Sequence, residues 1–151
     1  MIDASWIGRA LPAREFTLER GRLQFFARTI GEDNPIYRDV AAARAAGYAD
    51  IPAPPSFLFA AEQGDGDLLA LLREMQVNVA EVLHAEQSFV FQRHPCAGET
   101  LTVHSRIADL QTKKNGALEF IVKESTLSDG TGQTVAELRN VMVWRHPEGA
   151  T

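Results

Sequence analysis

An α+β domain, with one antiparallel sheet holding a helix, is predicted by two features of this 151-residue sequence. Up to about residue 80 the apolar residues recur at helical spacing. Beyond that point they alternate with polar residues, in stretches separated by glycine-bearing turns. No linker composition marks the change, so residues 1–151 read as one domain, long enough to bury a core without disulfides.

The first half opens on a strand, Arg14 to Leu18. A helix follows, with Leu23, Phe26, Ala27 and Ile30 on one stripe and Gly31 at its end. Asn34-Pro35 then forces a turn, because proline pushes the residue before it out of the helical region. Asp39 caps a short helix, Val40 to Ala46, which Gly47 terminates. Proline is tolerated in a first helical turn but not in an interior, so Pro54 or Pro55 begins the next helix, through Gln63. Phe57, Ala60, Ala61 and Gly64 share a face on which small residues allow close approach to a sheet. Asp67 caps a last helix, Leu68 to Met75.

Four strands make up the second half: Ala85–Gln92, Thr100–Leu110, Leu118–Leu127 and Val135–Trp144. Leu101, Val103 and Ile107 alternate with Thr102, His104 and Arg106, the pattern of a half-buried strand. Asn115-Gly116 is the strongest turn signal, since a type I′ hairpin needs positive φ at both central residues.

Charge and cysteine content narrow the function classes. The net charge is −5, and no basic cluster exceeds Lys113-Lys114. Nucleic acid is therefore not an expected partner, because phosphate binding requires clustered cations. No apolar run approaches the length of a membrane span, and the single cysteine, Cys96, suits a reducing, cytoplasmic setting. The four histidines lack zinc-site spacing; no metal or cofactor is expected.

Three ordered segments carry a family resemblance. They are Gly31-Glu32-Asp33-Asn34-Pro35-Ile36-Tyr37; Ala42 to Phe57, with Ala45-Ala46-Gly47-Tyr48 and Ala53-Pro54-Pro55-Ser56-Phe57; and Leu83-His84-Ala85-Glu86-Gln87 with Ala97-Gly98-Glu99-Thr100-Leu101. Together they resemble the MaoC-like dehydratase/hydratase family, and more closely the N-terminal half of its two-part members. The resemblance implies a hot-dog fold, in which the sheet wraps the helix from Pro54, and pairing into a double hot-dog. It also implies acyl-thioester sites, with coenzyme A or a carrier protein as the acyl carrier.

The family's reaction adds water across the C2=C3 bond of an enoyl thioester, or removes it, using a carboxylate and an imidazole. A backbone N–H at the helix start holds the thioester oxygen. Aligned on Asn34-Pro35, Glu32 replaces the family's Asp, Tyr37 its His, and Pro55 the glycine of the oxyanion hole. A phenol of pKa about 10 is no base at neutral pH. The extra methylene of Glu displaces the carboxylate by roughly 1.5 Å.

The candidate catalytic groups are accordingly Glu32, and His84 with Glu86, which would share one face of a regular strand. The candidate substrate-binding residues are Asn34, Tyr37, Ser56 and Phe57, with the N–H groups of Ser56 and Phe57 as donors to a thioester oxygen. Glu32 and Asn34 are equally the polar residues of a helix-ending turn. Four functions fit. The first is a subunit of an (R)-specific enoyl-thioester hydratase, paired with a partner that carries Asp and His. The others are a self-sufficient hydratase, a hot-dog thioesterase, and a non-catalytic acyl-CoA-binding protein.

Overall fold

The computed structural model describes residues 1–64 and 67–146. Five strands form one antiparallel sheet: β1 (Arg14–Thr17), β2 (Val82–Phe91), β3 (Thr100–Lys113), β4 (Leu118–Ser128) and β5 (Thr134–Arg145), in the order β1-β3-β4-β5-β2. The helices are α1 (Arg20–Thr29), α2 (Val40–Ala45), α3 (Phe59–Gln63) and α4 (Asp67–Glu74).

One face of the sheet carries the inward alternation predicted for it. Leu101, Val103, Leu127, Val135 and Leu138 close around Phe57, Leu58 and Ala61. Further along the same face, Ile107, Ile121 and Met142 pack against Leu71, Leu72 and Met75 of α4 and Trp6. The Asn115-Gly116 turn forms as expected, with positive φ at both residues and the Ala117 N–H donated to the Lys114 carbonyl. The strands outrun their expected ends: β2 begins at Val82 and β3 continues to Lys113.

Three details of the helices differ from expectation. Helix α1 stops at Thr29, and Ile30 becomes its C-cap, half exposed instead of joining the buried stripe of Leu23 and Ala27. Gly31 at φ +72° closes this end: its N–H goes to the Arg28 carbonyl and that of Glu32 to Ala27, a Schellman motif. The helix from Pro55 opens as a 3-10 turn, Pro55–Leu58, before becoming α3. With no N–H on Pro54 or Pro55, the turn closes tightly through Phe57 N–H onto the Pro54 carbonyl, at 2.8 Å. Helix α4 forms in place, and the expected side-chain cap at Asp67 lies outside the described residues.

The approach to the central helix is tied down on both sides. Ala53 N–H donates to Pro95, and Ala97 N–H to Ile51, so this approach pairs with the loop before β3. Asp50 meets the Arg20 guanidinium in a two-pronged ion pair, 2.9 and 2.7 Å, and accepts the Ile51 N–H. The Arg20 hydrogen bonds, then that from Ile51, hold the Asp50 carboxyl at about 2. A lowered carboxylate pKa contributes stability that is complete above the unfolded value and lost as pH falls through the folded one. The stability difference between wild type and Asp50→Asn, followed by urea unfolding, is therefore expected to be constant above about pH 4 and to shrink between about pH 4 and 2. An unchanged difference at pH 2 would rule out this linkage.

Candidate functional site

The Gly31–Arg38 loop folds largely onto itself. Glu32 Oε1 accepts the Asn34 N–H at 2.8 Å, and Asn34 Oδ1 accepts the Ile36 N–H, capping the short 3-10 turn Pro35–Tyr37. Gln24 anchors the loop from α1 by donating to the Arg38 carbonyl. Tyr37 is half-buried, and burial, then Tyr48 and Glu32, raises its pKa above the usual value. Its phenol stays protonated at neutral pH and is equipped to donate a hydrogen bond. Thus the loop unites Glu32, Asn34 and Tyr37, with Glu32 and Asn34 both engaged in the turn itself.

Ser56 and Phe57 lie together in a groove of about 450 Å³ between β1, α1 and the central helix. Part of its wall is aromatic, where Phe57 meets Phe26 edge-on at 5.3 Å and Phe16 at 6.1 Å, and Glu15, Glu19 and Arg22 line it as well. The Arg22 guanidinium lies over both Phe16 and Phe57, at 5.6 and 6.0 Å. The Phe57 N–H, expected to be available to a thioester oxygen, is spent on Pro54. Pro55 has none, so Ser56 supplies the other first-turn N–H. The loop residues Glu32, Asn34 and Tyr37 are outside the groove lining.

The expected sharing of a face by His84 and Glu86 is overturned. A bulge at Ala85 pairs His84 with Met142 and Glu86 with Val141, adjacent β5 residues that face opposite sides of the sheet. His84 turns toward the helices and stacks on Phe59 at 5.0 Å. Glu86 faces outward and pairs with Arg139 at 2.7 Å. One inserted residue thus separates the imidazole from the carboxylate.

Periodicity does not reveal the buried polar group that α3 contributes. Glu62 is 2% exposed and Lys123 is 3% exposed. Ser125 Oγ and Gln87 Nε2 donate to the Glu62 carboxylate at 2.7 and 2.8 Å. Lys123 Nζ donates to the Glu62 carbonyl at 2.8 Å and lies 3.8 Å from its carboxylate. A second cavity, about 430 Å³, opens on Glu62 and Lys123 and is walled by Leu11, Leu68 and Leu71. The signal was available: Lys123 occupies an inward position of β4, between Ile121 and Leu127. A charge there demands a buried partner, but its partner lies on another element.

Antiparallel strands in this order, closing over a central helix with the MaoC-like segments around it, define the hot-dog fold. The chain belongs to the FAS1-like dehydratase domain region family, which it matches over residues 5–138. A UPF0336 protein of Parafrankia sp. (strain EAN1pec) is 35% identical over 137 residues, covering 90% of this chain and 89% of that protein. Among solved structures, the C-terminally truncated HadBC (3R-hydroxyacyl-ACP dehydratase) complex of Mycobacterium tuberculosis superposes with a TM-score of 0.79 at 23% identity, over 91% of this chain and 96% of that one. The ChsH1-ChsH2 complex of the same organism gives 0.73 at 24% identity, over 93% and 86%.

Proposed function

We propose that this chain is the acyl-binding subunit of an (R)-specific enoyl-thioester hydratase or 3-hydroxyacyl-thioester dehydratase, whose catalytic carboxylate and imidazole come from a partner hot-dog chain. The observation that carries this reading is the loop at 31–38: its carboxylate, Glu32, accepts the Asn34 N–H, and its aromatic, Tyr37, is a protonated phenol. The partner's base takes the proton of water as oxygen attacks C3, and its acid returns a proton to C2. This chain holds the acyl portion against the aromatic rings of the Phe16–Phe57 groove. Association is supported by β2, which among the described residues is an edge strand without a partner on its outer side and exposes Leu83 and Val90. The two solved neighbours named above are likewise complexes.

The test is crotonyl-CoA hydration by the purified chain, by a hot-dog protein with an intact G-D-x-N-P-x-H loop, and by their mixture. Turnover by the mixture at least about tenfold above either component is expected. Full turnover by this chain alone would refute the division of labour. A second reading, self-sufficient hydration, draws on the His84 ring stacked over Phe59, a residue that also lines the groove. It requires activity in the isolated chain that His84→Ala abolishes and Glu86→Ala leaves intact.

A further inference from the structure

The aromatic groove and the second cavity have one lining residue in common among the described residues, Arg14. It stands at the start of β1, and its guanidinium donates to the Ala61 carbonyl of α3. Strand and helix are bridged by this one side chain, which lines both spaces. On the groove side the surroundings are Phe16, Phe57 and Phe59, with Glu15, Glu19 and Arg22 on the same lining. On the far side they are Glu62, Lys123 and Ser105, with Leu11, Leu68 and Leu71 opposite. We propose that Arg14 sets the length of acyl chain that this subunit accepts. The inference rests on reading the groove as the acyl site.

Desolvation sets the limit on chain length. Methylenes gain by entering the aromatic groove, because apolar surface leaves water there. To advance further, a chain must displace the guanidinium from the Ala61 carbonyl and strip solvation from the charged floor without replacing it. The leucine wall beyond would accept methylenes once the passage was open. Arg14 is therefore a specificity-determining residue.

Calorimetric titration of the full-length chain with butyryl-, octanoyl- and dodecanoyl-CoA tests this directly. For the wild type, affinity is expected to rise with length and then break, the first chain past the limit binding about tenfold more weakly than the one before it. Arg14→Ala should abolish the break, so that affinity rises with length across the whole series. Should that variant fail to fold by circular dichroism, Arg14→Met, which keeps an unbranched stem but has no donor for Ala61, carries the comparison with the same expectation. A wild type whose affinity rises through the whole series, or a folded variant that retains the break, overturns the role of Arg14 and leaves the acyl groove standing. Absence of binding by butyryl- and octanoyl-CoA alike overturns both.

Discussion

Replacing Glu62 with leucine is expected to destabilise the protein by about 3–5 kcal/mol, the cost of removing one member of a buried ion pair. The carboxylate is 2% exposed, accepts from Ser125 and Gln87, and is the negative charge beside buried Lys123. Its loss removes the acceptor that Ser125 and Gln87 share and the carboxylate beside the Lys123 ammonium. Thermal unfolding should report a fall in Tm of roughly 10 °C for a chain of this size. The double variant Glu62→Leu, Lys123→Met should recover part of the loss, because removing both charges removes the desolvation penalty with them. A single variant within about 1 kcal/mol of wild type would show that this network contributes little to the fold.

Phe57→Ala is expected to cost about 3–5 kcal/mol, from lost apolar transfer plus the cavity left behind. Phe57 is 5% exposed and touches Phe16, Phe26 and the Arg22 guanidinium. Those neighbours stand on β1 and α1, each anchored elsewhere, so they have little freedom to collapse into the space. Phe57→Leu, which keeps most of the volume, should lose no more than about 1.5 kcal/mol. Under the proposed function the alanine variant also weakens acyl binding, since the ring is part of the groove wall. Urea unfolding and acyl-CoA titration on the same preparations separate the two effects. Full acyl affinity in a folded Phe57→Ala protein would exclude this groove as the acyl site.

Local pattern determined the elements of this protein. Asn115-Gly116 makes its hairpin because both φ values are intrinsic to that turn. Asp39 caps α2 through the Ala42 N–H, a contact spanning three residues. The inward run Leu101, Val103 and Ile107 is buried because a strand's period is two. The ordered segments from Gly31 to Leu101 likewise carried the family, which the match over residues 5–138 establishes.

Contacts between distant elements decided the site. The bulge at Ala85 is a matter of register against β5, and it alone determines that His84 and Glu86 face apart. Nothing in the segment Leu83-His84-Ala85-Glu86-Gln87 specifies an extra residue there. Glu62 and Lys123 are 61 positions apart, and Arg14 reaches Ala61 across 47. Periodicity reads which face of an element is apolar; it carries no information about which polar side chain on another element will meet a charge buried on that face. The helix, the sheet and the family were therefore legible in the sequence, while the groove, its charged neighbour and the arginine between them exist only once the sheet has closed over the helix.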